Sequence, residues 1–446
     1  MSERERVSLT VYNSNFALIR EQRTVDLGTG RVALAYEDVT AHIQPATVHI
    51  RSMDADDGIA VLEQNYRYDL LTPEKLLEKY VGRRLKVVRE NERSGEDEIE
   101  DAELLSVENG PVLRIDGQIV TGGFSRFIFP ELPENLLSKP TLVWLLDSTR
   151  PRQKLEVSYL SQNLSWRADY VLVLDESDSR GDLSGWVTLD NQSGTSFTAA
   201  ELKLVAGDVQ RVVPAPPPMP MMEMDMAEEA VPQSSPFSQE ALFEYHLYGL
   251  ERPTDLLDKE QKQVSLLEAH GITVKKKLVF RGADYHYRGR VDETPQKQKV
   301  SVLVSIDNSE SKGLGVPLPK GVVRVYKADT SGAQQFVGED AIEHTPRDEE
   351  IEIKLGEAFD VVAERKQASF RVLGKCSSES DWELELKNHK DSAVRVEVIE
   401  PAGGDYEIVR SSHPPLKGDA QSFTFEVDVP ERGAVKVSYR VRVRWC

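Results

Sequence analysis

The run SWRADY holds the residues best suited to chemistry: Trp166, Arg167, Asp169 and Tyr170 set two aromatic rings and two opposite charges on one short stretch. An aromatic face packs on a sugar ring or an apolar side chain, and a charged pair orients a polar ligand. The set therefore suits binding of a glycan or a peptide. A period of two, however, puts Trp166 and Tyr170 on the side of Ala168 and Leu172, and a strand-core tryptophan anchors many β-sandwiches. Filling a core is the first reading of the two rings, and ligand contact the second.

No other stretch carries a recognised reaction centre. G-x-S-x-G, H-E-x-x-H, C-x-x-C, Walker and G-x-G-x-x-G patterns are all absent. The eight histidines lack metal-ligand spacing, and His246 and His286, each beside a tyrosine, read as structural. No catalytic residue, metal ligand or cofactor is assigned. A triad gathered from distant loops escapes such a search, so a hydrolase stays open as the alternative. Met219, Met221, Met222, Met224 and Met226 cluster in MPMMEMDM. Thioethers select Cu(I) or grip an apolar partner, which makes metal handling a weaker alternative. Lys436, Arg440, Arg442 and Arg444 share the polar face of the last strand. Cross-strand pairing with Glu426, Asp428 or similar carboxylates is expected there before an anionic ligand. DESDSRGD, at 175–182, reads as a hairpin tip.

Composition narrows the partners. A net charge of -20 over 446 residues repels phosphate backbones, so nucleic acid is excluded as a general partner. No apolar run approaches the ~20 residues that span a bilayer, and the start, MSERERVSLTVYNSNF, has no apolar export core. As written the chain is expected in the cytoplasm, or in the periplasm or outside the cell if a leader has been trimmed. Cys376 and Cys446 fit either compartment and leave one disulfide open.

The elements that must position these residues are strands. Between Gln153 and Val212 four alternating runs follow one another, broken by turns rich in Asn, Ser, Gly and Asp. LTPEKLLEKYVG predicts a short helix over 73–81, with Thr72 as N-cap, Pro73 at the first position and Gly82 as a left-handed cap. Short β segments over 84–129 suit a small barrel-like insert. The stretch 213–239, rich in Pro and Met, reads as a disordered loop. TDLLDKEQKQVSLLEAHG is ambiguous between helix and strand. From Val300 the period of two returns and persists to Trp445. Three strands end alike, at Asn191, Asn308 and Asn388. Asn tolerates the left-handed turn conformation and bonds its own backbone, so it stops a strand well. The repetition suggests sandwich units of one design.

VYNSNFALIRE, NYRYDLL, PTLVWLL, YLSQNLSWRADY, NQSGTSFTAAELKLVAGDV, KQVSLL and GLGVPLPKGVVRVY together resemble the bacterial family called domain of unknown function 4139. The resemblance covers nearly the whole chain. It is most specific from Tyr159 to Gly207, at Tyr159, Leu160, Leu164, Trp166, Asp169, Tyr170, Asn191, Ser193 and Gly194. Related proteins are labelled mucoidy inhibitor A-like and carry another N-terminal domain and a long coiled coil, which this chain does not show. The resemblance implies mostly β structure and turns the KQVSLL ambiguity toward strands. It implies no activity, cofactor or catalytic residue.

The chain is thus expected to be mainly β: two or three antiparallel β-sandwich (Ig-like) domains with a small β-barrel-like insert and one short helix. The divisions fall at 1–135, 136–212, the loop 213–239, and 240–446. The leading function is a non-catalytic scaffold or binding module that presents loops to a protein or glycan partner.

Overall fold

The computed structural model describes residues 4–90, 97–133, 136–207, 209–211, 237–242, 245–283, 287–291, 294–416 and 421–446. Most of the Met/Pro-rich stretch, and His286, lie outside the described residues; the strand Phe237–Leu242 begins within the last residues of that stretch. Strands take 65% of the described residues, far above the roughly 20–25% of an average domain, so the mainly β class holds. Two compact units emerge. One comprises Met1–Trp166, Leu189–Val205 and Leu247–Lys262; the other comprises Arg167–Thr188, Ala206–His246 and Gln263–Cys446.

In the first unit the strand Phe16–Asp26 lies between Arg6–Tyr12 and Arg152–Gln162, antiparallel to both. Arg6–Tyr12 runs parallel to Phe197–Ala206, with Ser8 opposite Glu201. A second sheet sets Thr141–Ser148 between Gly30–Glu37 and Ile59–Arg67. Alternation buries Leu9, Val11, Ile19, Val157 and Tyr159 along the first sheet, and Trp144 and Leu146 along the second.

The helix Pro73–Tyr80 starts as its sequence requires: the Lys75 amide donates to Thr72 Oγ1 at 3.2 Å, and Pro73 fills the first turn. Gly82, at φ +80°, turns the chain out of it. The strands that follow form one sheet, in the order Arg126–Ile128, Arg84–Glu90, Asp97–Ser106, Val112–Ile115, Gln118–Val120. This corrects the barrel-like expectation. The two edge strands span three residues each and do not pair with one another, so the sheet stays open over a core of Tyr80, Leu85, Val87, Leu104 and Leu113.

In the second unit one strand pairing recurs. Gln296–Asp307 pairs antiparallel with the first half of Glu350–Gly374, while Gly321–Ala328 pairs with Gln334–Ile342. Then Ser377–Asn388 pairs with Ala434–Arg444, while Val394–Pro401 pairs with Ser422–Val429. In the first set the first strand meets the fourth and the second meets the third; the second set repeats this with one strand added, Asp405–Ser411, which falls between the two inner strands and pairs with Ala434–Arg444. The chain thus leaves the outer pair and returns to it once in the first set and twice in the second, as sandwich connections do. The strand Glu350–Gly374 has 25 residues, enough for its second half to pair with Ser377–Asn388 of the next set. KQVSLL lies in the 22-residue strand Glu260–Arg281, so the ambiguous stretch is extended.

The three strand-ending asparagines do more than stop strands. All are buried. Each donates its Nδ2 to a carbonyl in its own following turn: Thr195 O at 2.9 Å, Val316 O at 2.8 Å and Ser392 O at 2.8 Å. Each also donates to a second turn: Leu257 O at 3.0 Å, Pro346 O at 2.8 Å and Pro430 O at 3.0 Å. Their Oδ1 atoms accept from the amides of Ser193, Gly315 and Lys390. The asparagines are not themselves left-handed, contrary to the conformation expected of them. The left-handed residue lies in the second turn, at Lys259, Asp348 and Arg432, two positions past the accepting carbonyl in every case. One amide thus fastens two turns where two strands end.

The two cysteines are joined. Ser377 lies opposite Arg444, which sets the ends of those strands level, with the Cys376 and Cys446 Cα atoms 5.5 Å apart.

Truncating one of these asparagines leaves several buried peptide groups without partners. Asn388→Ala is expected to lower unfolding stability by about 2–3 kcal/mol, read from urea unfolding midpoints. A change within about 0.5 kcal/mol would show that the amide fastens nothing.

Candidate functional site

Of the residues singled out in SWRADY, the two rings are buried. In the first unit the Trp166 indole donates to Val205 O at 3.2 Å. In the second, the Tyr170 hydroxyl donates to Pro319 O at 2.8 Å. Gly185 on the neighbouring strand leaves room for that ring, since a β-carbon there would lie 3.2 Å from it. Both polar tips are satisfied by backbone, so these rings are held in place by the core.

Arg167 and Asp169 belong to a polar row on a sheet face of the second unit. The Thr188 hydroxyl donates to Asp169 Oδ2 at 2.7 Å and accepts from Gln263 Nε2 at 3.2 Å. Arg324 Nη1 donates to Asp169 Oδ1 at 3.0 Å, and its Nε lies 3.2 Å from Glu339 Oε2. Arg167 Nε lies 3.3 Å from Asp169 Oδ2. The row crosses five strands: Glu260–Arg281, Arg180–Asn191, Leu164–Leu174, Gly321–Ala328 and Gln334–Ile342. The strand Leu164–Leu174 runs parallel to Gly321–Ala328, with Asp169 opposite Val322, and this brings Arg324 within reach.

Burial alone would push the Asp169 carboxyl up. The Thr188 hydroxyl and the Arg324 and Arg167 guanidiniums outweigh it and hold the carboxyl below its usual value. Asp169 therefore stays ionised at neutral pH and is no general acid. Its side chain is 12% exposed, while that of Arg167 is 56% exposed and that of Arg324 37%. A sunken carboxylate thus orients two guanidiniums that still face solvent. Such a pair can take a carboxylate or a hydroxyl-rich ligand by hydrogen bonds.

The remaining sequence candidates sit elsewhere. His246 is partly buried, and burial pushes its pKa down. The cationic last strand pairs with a different neighbour than Glu426 and Asp428. Ala434–Arg444 lies beside Ser377–Asn388, so Arg440 forks onto Asp381 with two contacts of 2.8 Å, and Arg442 takes Glu379 and Glu407. Glu426 and Asp428 pair with Arg395. Asp175 accepts from the amides of Ser179 and Arg180 and the Ser177 hydroxyl, closing the expected hairpin tip; the Ser177 bond leads in holding it at about 2. Among the described residues no group of three or more His, Cys, Asp or Glu side chains is placed to hold a metal.

Sequence reasoning missed Thr188, Gln263, Arg324 and Glu339. Alternation alone puts Arg324, between Val323 and Val325, on a polar face. The parallel pairing that aims it at Asp169 joins strands about 150 positions apart and has no local signal.

Residues 155–446 match the model of a protein family described as Domain of unknown function (DUF4139). The match is narrower than the motifs that run through nearly the whole chain, but it includes the entire polar row. No curated protein matches the chain.

A group whose folded pKa is depressed adds stability above its unfolded value, about 3.9 for Asp, and that stability fades as pH falls through the folded value. Asp169→Asn should accordingly cost about 1–3 kcal/mol at pH 7, with the gap to the parent narrowing below about pH 4. Unfolding midpoints across pH 3–7 check this. A gap independent of pH would remove the charge from the argument.

Proposed function

The chain belongs to the Domain of unknown function (DUF4139) family, and we propose that it is a non-catalytic β-sandwich scaffold or binding module for a protein or glycan partner. The observation that carries this reading is the polar row. Arg167 and Arg324 are fixed from below by Asp169 and left open above, a geometry suited to holding a ligand. The fixed carboxylate lowers the entropy lost when the guanidiniums bind. A carboxylate-bearing or hydroxyl-rich partner fits best through directional hydrogen bonds to the exposed guanidiniums rather than through net charge, since Asp169 and Glu339 match the two cations.

A second reading, a hydrolase with a site built from separate loops, rests on a cleft of about 200 Å³ that holds Asp307, Asp348 and Glu350 beside Lys275 and Lys312. Glu350 already accepts from Ser305 and Lys277, which hold it below its usual value in that order. A carboxylate so engaged is a poor general acid. The binding reading therefore leads.

We also propose that the chain works in an oxidising compartment, periplasmic or extracellular, a reading supported by the Cys376–Cys446 bond at the strand ends. Trapping thiols with an alkylating reagent in intact cells should leave both cysteines unlabelled until a reductant is added. Labelling without reductant would return the chain to the cytoplasm.

The binding reading is tested by Arg167→Glu. The new carboxylate would face Asp169, so a loss of about 1–2 kcal/mol is expected, and the variant's fold is checked by circular dichroism before the comparison. Captured material is compared between parent and variant by cross-linking with mass spectrometry and on a glycan array. One stoichiometric protein or one glycan class lost with the variant is expected. Identical profiles would sink the proposal for this face.

A further inference from the structure

A different feature of the second unit lies where two strand pairs lose register. Lys299 pairs with Val362 and Ser301 with Glu357, so Ala358–Val361 stand opposite Val300 alone. A further slip falls between Val302 and Leu303. In the companion pair, Gly321–Ala328 with Gln334–Ile342, the register slips between Val325 and Tyr326. Bulges bend strands and interrupt the even packing of side chains. The consequence is a cleft of about 190 Å³ with apolar walls, among them Val302, Val304, Val337 and Leu355. Phe359, within the widest bulge, is 93% exposed.

The mouth of this cleft is charged in a definite way. Asp178 takes Lys276 Nζ at 2.7 Å and Lys327 Nζ at 2.5 Å. One carboxylate between two ammoniums leaves that lip with a net positive charge. On the other lip Glu357 is balanced by Lys354 at 2.9 Å and by the Ser301 hydroxyl at 3.1 Å. A positive lip above an apolar slot is a local exception in a chain of net charge -20. It attracts an anion whose remainder is apolar.

We propose that this cleft binds a small amphipathic carboxylate, with its apolar group between Val302, Val304, Val337 and Leu355 and its carboxylate against Lys276 and Lys327. The volume sets the size of the apolar group. A buried cavity of about 150 Å³ accepts benzene, so 190 Å³ takes one aromatic ring or a short branched alkyl chain. The two ammoniums already converge on Asp178, so a ligand carboxylate meets donors that are held in place rather than free chains. This site uses no residue of the Arg167 face and stands or falls apart from it.

The probe is 3-phenylpropionate, titrated into the full chain and followed by ligand-observed NMR. Saturable binding with a Kd on the order of 1 mM or tighter is expected. The neutral amide, 3-phenylpropanamide, should bind at least about tenfold more weakly, since it lacks the charge. Lys327→Gln should weaken the acid severalfold. Val337→Trp fills the slot from an edge strand and should abolish binding while the far-ultraviolet circular dichroism stays that of the parent. Failure of the acid to saturate, equal affinity for acid and amide, or undiminished binding in folded Val337→Trp would each overturn the proposal. So would binding only of a peptide ending in phenylalanine and not of the free acid.

Discussion

A chain made mostly of strands must satisfy its peptide groups where the strands stop, because ladder bonds end there and the turns are packed against a core. In this protein three buried asparagine side chains meet that requirement. An amide is the one side-chain group with donors and an acceptor on the same rigid plane. Asn191, Asn308 and Asn388 use both, bonding the turn that follows and a second turn that precedes another strand. A carboxylate would lack the donors, and an aliphatic residue would leave carbonyls bare. In each case the fastening holds the end of one strand against the start of another.

Each unit also buries a charge in the same manner. In the first, Glu21 is fully buried and accepts from Arg23 at 2.5 Å, Arg4 at 3.1 Å and the Tyr159 hydroxyl at 3.0 Å. In the second, Glu400 is fully buried and accepts from the Tyr287 and Tyr439 hydroxyls at 2.8 Å each, with Arg365 Nη2 at 3.1 Å. Arg365 also lies 4.0 Å from the Trp382 ring centroid. Burial, ahead of the neighbouring carboxylates, pushes the tyrosine hydroxyls well above their usual pKa, so they remain donors. Such networks bring little net stability over an apolar core. What they do supply is register: a strand slipped by one residue turns its charged side chain away from its buried partners.

Much of the strand content was legible because burial writes a period of two into sequence. Leu164–Leu174 and Ala434–Arg444 alternate cleanly, and both are strands. The N-cap and proline before Pro73–Tyr80 marked the helix for an equally local reason. What could not be read was pairing. The cysteines are 70 positions apart, and only the opposition of Ser377 and Arg444 brings them together. The barrel expected over 84–129 failed for the same reason, since short alternating runs look alike whether or not the last strand returns to the first. At the candidate site Asp169 and Arg167 were visible as types, yet Arg324, Thr188 and Gln263 needed the sheet order to become their neighbours.

The two candidate binding features arise from opposite states of the same ladder. The Arg167 face depends on strands laid side by side: Leu164–Leu174 runs in even register beside Gly321–Ala328, and Gln263, Thr188, Asp169 and Arg324 bond across the sheet in one row. The cleft beside Val302 sits where pairing slips: between Val302 and Leu303 the register leaves Leu355 over, and Leu355 lines the cleft. A regular face offers a broad, polar and rigid surface, which favours extended ligands that touch several strands. A bulge offers a small apolar slot with charges at its rim, which favours a compact ligand. A sandwich held at its strand ends by buried amides can carry both, since neither the row nor the bulge takes part in the fastening.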